Sequence, residues 1–534
     1  MANGLVVEPL TVEQAKDGNR LHGVTKADKV FPVEDEETSK LTICNKLSFG
    51  IGGVPYEMVR SILGFFLQLF LLDVAQISPF HTSFILFFGR VCDAVTDPAI
   101  GWLISKSRWT KIGRLMPWII GSAPFAVLSY FLLWYVPPFG RGRFLWYIFF
   151  YGLFSTLLTC YHVPYSTLTM FLSSDLKERN RATVFRMTMQ AIGTVIGVAV
   201  QGQIVAESHI SHHCFERNMS SYFIVNSTLN GNISNQHTLE SILEMRELYI
   251  IASGAIGSIY LFCMIILLFG VRERDDPYTK KSEKPIPFLK GTKLVLRYSP
   301  YVKLTASFLF ISMAIKVLEG NFALFCTYAA DLQYHYQNIV LIILVTAVMI
   351  VPFWQFFLQR FGKKIAVYLG TIWLIPFLFL MVSLPNNLIV AYLAGASSGL
   401  SFASFFLLPW SMLPDVIDAY RLEKPQIKGL ETIFCSFYVF FTKLANGISM
   451  GLSALSLHFA GYKTGACVQP QSVAFALKLL VAAVPVGLIM IGLIIFRLYP
   501  ITEDIRVRNE LALEELRQNV HISGQSLTNV DNAS

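Results

Sequence analysis

Residues Gly487–Phe496 read GLIMIGLIIF, a run without a charged or hydroxyl side chain. A run of this kind suits hydrocarbon better than water, and a helix crosses a bilayer core with roughly 20 apolar residues. Extended outward, it belongs to a block over 471–497, and similar blocks recur along almost the whole chain, as at Phe84–Phe88. Of 534 residues, 54% are hydrophobic and 15% charged, with a mean hydropathy of +0.52. Soluble chains carry about 25% charged residues. This composition excludes a disordered chain, a collagen-like fibre and a disulfide scaffold, and argues against a soluble multidomain enzyme. An aromatic share of 14%, with 43 Phe, suits a lipid-facing surface. The chain reads as a polytopic membrane protein.

About twelve spanning segments are centred within 48–72, 81–104, 115–136, 145–172, 184–206, 247–270, 302–327, 338–360, 365–384, 388–413, 432–458 and 471–497. The runs are continuous and lack the period-two alternation of barrel strands. The expected fold is therefore an all-α membrane protein with twelve transmembrane helices. Basic residues gather in alternate loops: Lys106, Arg108, Lys111 and Arg114 after the second span; Lys177, Arg179 and Arg181 after the fourth; Arg272, Arg274, Lys280, Lys281 and Lys284 after the sixth; Arg360, Lys363 and Lys364 after the eighth; Arg421, Lys424 and Lys428 after the tenth. The intervening stretches 73–80, 328–337 and 385–387 have no Lys or Arg, whereas 137–144 breaks the pattern with Arg141 and Arg143. The positive-inside rule then places the basic loops and both termini in the cytoplasm. The net charge of +8 is thus a topology signal, and no basic-plus-aromatic patch or zinc spacing points to nucleic acid.

Asn218, Asn226 and Asn232 head Asn-x-Ser/Thr sequons in the long loop 207–246, assigned to the outer face, and are expected to be N-glycosylated. Asn532 heads another on the inner tail and is expected to stay unmodified. Of eight cysteines, only Cys214 and Cys467 fall in outer loops, where the environment is oxidising. They are expected to form a disulfide; the alternative is two unpaired loop thiols. His209, His212 and His213 beside Cys214 read as a solvated cluster rather than a metal site. The first 40 residues hold no apolar core suited to a signal peptide, and 502–518 reads as a short polar helix. The expected organisation is a cytoplasmic tail over 1–41, a six-helix bundle over 42–270, a cytoplasmic loop over 271–301, a second six-helix bundle over 302–498 and a tail over 499–534. A basic turn after the second span of each half (GRLMPW at 113–118, RFGKK at 360–364) is an echo that duplicated halves leave.

A charge in hydrocarbon costs at least about 3 kcal/mol on insertion scales, so each one needs an explanation. Asp93 and Asp97 stand four residues apart in GRVCDAVTDPAIG, on one helix face. Adjacent carboxylates repel unless a cation or proton lies between them. Thr96 adds an oxygen and Pro98 loosens the backbone, so a sodium site is expected, against a capping role near the inner face. Lys443 lies inside SFYVFFTKLANGISM, and its expected partner is Asp93 or Asp97 from the other half, in competition with sodium. Snorkelling to an interface is the alternative. Glu319 has Lys316 one turn before it, Glu57 and Arg60 are spaced to pair, and Arg186 opens the fifth span. His162, Tyr165 and Ser166 follow Thr159 around Pro164. Together these suggest a cavity with a thin polar lining among many Phe, which favours an amphiphilic substrate over a sugar. Gly395–Gly399 (GASSG) matches G-x-S-x-G, yet lies in a membrane helix and reads as helix packing, as do Gly193/Gly197 and Gly447/Gly451. No catalytic signature emerges.

The runs GRVCDAVTDPAIG, GRLMPW, RFGKK and LPWSMLPDVID together resemble the glycoside-pentoside-hexuronide:cation symporter branch of the major facilitator superfamily. CNKLSFGIGG, GFFLQLFLLDVAQ, HVPYSTLTMF, GQIV, EGNFALFCTY and YVFFTKLANGIS narrow the likeness to the sodium-dependent lysophosphatidylcholine symporter family, over roughly 42–500. The resemblance implies two pseudo-symmetric six-helix bundles and sodium-coupled import of lysophosphatidylcholines with long polyunsaturated chains such as docosahexaenoate, by alternating access. It implies Asp93, Asp97 and Thr96 as sodium ligands, with sodium co-transported and no cofactor. Lys443 resembles the lysine that meets the sodium site or lipid phosphate; Arg186 and Glu319 resemble gating or headgroup residues. Thr159 and Ser166 match lipid-path positions, and Phe65 and Phe66 a hydrophobic cleft. Glu57 and Arg60 depart from the usual uncharged first span, and Glu57 is a candidate for holding a choline cation. A monomer is expected, in the plasma membrane with the endoplasmic reticulum membrane as a second location. The alternatives are a sphingosine-1-phosphate exporter of the same family, a membrane-embedded lipid-modifying enzyme and a receptor.

Overall fold

The computed structural model describes residues 41–513 except 141, 173–175, 207–230, 274–292, 385–386, 425–430, 465 and 467, and also Glu515. The first span is broken into α1 (Ile43–Ile51) and α2 (Val54–Leu69), the latter running into a π turn over Phe70–Val74. The break falls at Gly52 and Gly53, just before Pro55, and the freed carbonyls are not left bare. Tyr161 donates to the Gly52 carbonyl, and Tyr165 donates to that of Phe49 at 2.6 Å. Non-helical backbone at membrane depth requires partners of this kind.

The first bundle continues with α3 (Pro79–Lys106), α4 (Met116–Trp134), α5 (Arg143–Leu168), α6 (Leu176–Ala206) and α7 (Gly231–Gly270). The second comprises α8 (Ser299–Tyr328), α9 (Tyr336–Phe361), α10 (Lys363–Ile372) with α11 (Leu374–Ser383) as one interrupted span, α12 (Leu388–Glu423), α13 (Glu431–Phe459) and α14 (Gln471–Lys478), which passes through a π turn at Leu479–Ala483 into α15 (Val484–Arg497). Among the described residues, ten helical segments are long and apolar enough to cross a bilayer. The α1–α2 span and α3 fall outside that set. One is interrupted at its glycines, and the other carries Arg90, Asp93 and Asp97 in its middle. Both contribute directly to the polar centre described below.

Three expectations need correction or qualification. The long loop expected over 207–246 is shorter, because α7 already begins at Gly231; its first turns are too polar to register as a hydropathic span but continue the helix. The tenth span, expected to end at 413, runs as helix to Glu423 through Pro409 and Pro414. Pro98 does not open the backbone of α3, which is helical on both sides of it. Cys214, Cys467, Asn218 and Asn226 lie outside the described residues, whereas the backbone of Asn232 is in the first turn of α7.

The two bundles meet along α3 against α13, α6 against α9 and α2 against α8. Glycines set the first of these distances. A Cβ at Gly447 would stand 2.7 Å from Cβ of Arg90, and one at Gly451 3.2 Å from Cβ of Phe87. The GASSG stretch also packs closely, with Gly399 against the backbone of Ile343.

Candidate functional site

The centre of the interface is a set of charges inside apolar helices. On α3, Asp93 and Asp97 project from one face toward α13, and Lys443 of α13 lies between them. Its Nζ is 2.9 Å from Asp93 Oδ1 and 2.7 Å from Asp97 Oδ2. Thr159 of α5 donates to the same Asp93 Oδ1 at 3.1 Å. Thr96 donates back to the Cys92 carbonyl at 2.8 Å, and its oxygen lies 3.4 Å from that of Thr159. Asp97 Oδ1 is buried and has no partner among the described residues. Two carboxylates thus hold one ammonium group, with two hydroxyls beside them and one carboxylate oxygen, Asp97 Oδ1, left spare.

Chemically, the place taken by the ammonium is where a small hard cation would sit, since oxygen donors suit such ions. The two carboxylates carry two formal negative charges, faced by Lys443 in direct contact and by Arg90 of α3 at 4.0 Å from Asp93. Removing one member of a buried pair leaves an uncompensated charge and costs about 3–5 kcal/mol.

The other charges sit in pairs. Arg60 grips Glu57 Oε2 through Nε at 2.8 Å and Nη2 at 2.7 Å, so this oxygen of Glu57 is already occupied. Lys316 is paired with Glu319 one turn away on α8. Glu319 crosses to the first bundle and fills the space above Gly64, where a Cβ would lie 1.8 Å from Oε1. Tyr56 stacks on His162 with ring centroids 3.7 Å apart.

Several expected positions lie elsewhere or act locally. Arg186 donates to Thr169 at 3.3 Å, and its buried Nε has no partner among the described residues. Ser166 bonds back to the Val163 carbonyl at 2.9 Å, as does Thr167 at 2.8 Å. Phe65 and Phe66 are packed in the core, Phe66 against Tyr336 of the second bundle, rather than lining an open cleft in this conformation.

Two features escaped the sequence reading. Arg90, inside the same GRVCDAVTDPAIG run, is half-buried with Nη1 4.0 Å from Asp93 Oδ2. Asp73, at the end of an apolar run, is 2% exposed and accepts from Tyr328 at 3.0 Å and from Tyr462. The signal for both was an isolated charge within or bordering an apolar block. Asp73 is part of a wider seam joining the bundles at the end remote from the basic loops. Gln68 donates to Asn321 at 3.1 Å, Asn321 to Ser453, and Gln203 to Asn338 at 3.2 Å.

Twelve helical spans in two bundles, with paired charges buried between them, define a secondary transporter of the major facilitator fold. The family model described as MFS/sugar transport protein matches residues 48–503, and the chain belongs to that family. The chain is 50% identical to the sodium-dependent lysophosphatidylcholine symporter 1 of Gallus gallus, over 96% of this chain and 97% of that protein. It is 52% identical to a sphingosine-1-phosphate transporter of Xenopus tropicalis, over 90% of this chain and 92% of that one. Among solved structures, a bacterial homologue of the human lysosomal transporter Spinster matches with a TM-score of 0.57 at 12% identity, covering 88% of this chain and 97% of the other. At that identity the likeness concerns the fold alone. The protein is a transporter and not an enzyme.

Proposed function

We propose that the protein is a sodium-coupled symporter that imports lysophosphatidylcholine with long polyunsaturated acyl chains, such as docosahexaenoate, by alternating access. The observation that carries the coupling is the Lys443 ammonium held between Asp93 and Asp97 across the two bundles. Sodium at Asp93 and Asp97, with Thr96 and Thr159 nearby, displaces Lys443 and loosens the contact between α3 and α13. The basic loops face the cytoplasm, so the seam at Asp73, Gln68 and Gln203 closes the outer side. Sodium binding from outside then favours the outward-open state, in which the lysolipid enters. Glu57 and Glu319 are the acids that would meet a choline cation on release from Arg60 and Lys316, Arg186 guards the inner half, and Phe65 and Phe66 line the acyl path once the seam opens. Burial of each methylene contributes about 0.8 kcal/mol, so longer chains bind more tightly.

The protein works as a monomer in the plasma membrane, with the endoplasmic reticulum membrane as a second location. Cys214 and Cys467 are paired on the outer face, and Asn218, Asn226 and Asn232 carry glycans. The second reading, export of sphingosine-1-phosphate, is favoured by the identity to the Xenopus relative. Labelled lysophosphatidylcholine and labelled sphingosine-1-phosphate, each offered to cells with and without sodium, separate the two. Sodium-stimulated uptake of the first supports import; sodium-independent release of the second with no uptake of the first would reverse the assignment.

A further inference from the structure

The stretch 137–144 departs from the charge alternation, because Arg141 and Arg143 stand in a loop assigned to the outer face. Basic residues are disfavoured on that side, so these call for a reason. Arg143 opens α5 and is held over the outer end of the first bundle. Its Nε donates to the Pro137 carbonyl and its Nη1 to the Ala75 carbonyl, each at 3.3 Å. Ala75 follows the π turn that carries Asp73, so Arg143 is fixed beside the outer seam. Arg246 of α7 comes to the same place. It lies within electrostatic reach of Arg143, and both act on the buried Tyr147. The Nε of Arg246 is buried and has no partner among the described residues. Arg143 is met by carbonyls, and neither arginine forms an ion pair with a described carboxylate. Asp73 itself is engaged by Tyr328 and Tyr462.

Two neighbouring cations without an acid repel each other, and a buried donor of a charged group left unmet is costly. An anion between them relieves both costs. A guanidinium offers parallel N–H donors in a rigid fork, which matches two oxygens of a phosphate. Depth points to the source of that phosphate. The apolar spans of α5 and α7 begin at Arg143 and Leu243, so both guanidiniums stand at the outer edge of the hydrocarbon, where lipid headgroups lie. Farther along the same helices Leu145, Phe149 and Ile251 are exposed, as lipid-facing side chains are. We propose that Arg143 and Arg246 form an anion site at the outer end of the first bundle, which takes the phosphate of an outer-leaflet lysophospholipid before it passes between the bundles. This rests on the import reading and the orientation given above. It adds a docking point outside the central cluster of Asp93, Asp97 and Lys443. The phosphate of a choline headgroup lies nearer the hydrocarbon than the ammonium does, so the phosphate is the part that meets the two arginines.

The test uses Arg246→Gln, which removes the charge, and Arg246→Lys, which keeps the charge and loses the fork. In one arm, purified protein is heated with and without inorganic phosphate, at equal sodium and ionic strength. Phosphate is expected to raise the melting temperature of wild type and to leave that of Arg246→Gln unchanged. In the other arm, sodium-driven uptake of labelled lysophosphatidylcholine is measured over a range of concentrations at matched surface levels. The KM of Arg246→Gln is expected to rise about tenfold through lost charge-assisted bonds, with kcat held within about twofold. Arg246→Lys falls between. An equal phosphate response in wild type and Arg246→Gln, with KM unchanged, removes the site while the import reading stands. A phosphate response that only wild type shows, with KM unchanged, makes free phosphate the ligand and overturns the lipid assignment. A joint fall in kcat and in melting temperature without phosphate makes Arg246 structural and also overturns it. No uptake by wild type removes the import reading and the lipid ligand together, and the phosphate arm then decides the anion site alone.

Discussion

Lys443 and Asp93 are 350 residues apart in the chain, yet their charged atoms are 2.9 Å apart at the seam between the two bundles. Asp97 holds the same ammonium at 2.7 Å, so one lysine ties α13 to both acids of α3. Because the groups belong to different bundles, any change in the ionic occupant of the acids changes how the bundles are held together. This is the kind of differential contact that a ligand needs in order to shift a conformational equilibrium.

Replacing Lys443 should expose that linkage. Lys443→Ala leaves two carboxylates buried without their cation, and the folded protein is expected to lose about 3–5 kcal/mol. Sodium should restore part of the loss by taking the ammonium's place. The melting temperature of the purified variant is therefore expected to rise more with sodium chloride than that of wild type, with choline chloride as the control. An equal rise in both proteins would separate Lys443 from the sodium site.

The outer seam is expected to depend on Asp73. Tyr462→Phe removes one donor from a buried carboxylate, and hydrogen bonds to charged groups contribute about 1.5–3 kcal/mol. The equilibrium should shift toward the outward-open state by roughly tenfold or more. Ser453→Cys, in a background lacking the other cysteines, should then react faster with a membrane-impermeant maleimide added outside. An unchanged rate would mean that the Asp73 bonds do not hold this seam shut.

Gly64 and Glu319 form a spatial pair that a substitution cycle can read. Gly64→Ala places a methyl where Glu319 Oε1 now lies, and overpacking of this kind costs about 1–3 kcal/mol. Glu319→Ala vacates the space. The double variant is expected to be less destabilised than the sum of the two single variants, measured as melting temperature. Strict additivity would place Glu319 away from α2.

The break between α1 and α2 should likewise rest on its tyrosines. Tyr165→Phe leaves the Phe49 carbonyl without the donor now 2.6 Å away, at a cost of about 1–3 kcal/mol for a buried unsatisfied group. A lower melting temperature is expected, with lipid preference unaltered.

Much of this was legible in the sequence, for a physical reason. A charge inside an apolar run stands out, so Asp93, Asp97, Lys443 and Glu319 were visible, and the four-residue spacing already put both aspartates on one face. The partner relationships at longer range were not legible in the same way. Arg90 sits three residues before Asp93 in a run whose acids drew the reading, and only the coordinates separate its partnered nitrogen from the two unpartnered ones. Asp73 borders a hydrophobic stretch and looked like the start of a polar loop; burial between Tyr328 and Tyr462 is a tertiary fact. The first turns of α7 are polar, so hydropathy could not tell a helix standing clear of the bilayer from a loop. Phe65 and Phe66 were expected to line a cleft, but exposure of such residues depends on which side of the transporter is open.

The central claim is that sodium at Asp93 and Asp97 drives lysophospholipid import. Its most direct measurement is uptake of labelled lysophosphatidylcholine by cells expressing wild type or Asp93→Ala at matched surface levels, with sodium or with choline outside. The expected result is strong uptake for wild type in sodium and, in the other three conditions, uptake at least about tenfold lower, as befits loss of a buried charge partner. Equal uptake in all four conditions would contradict the claim.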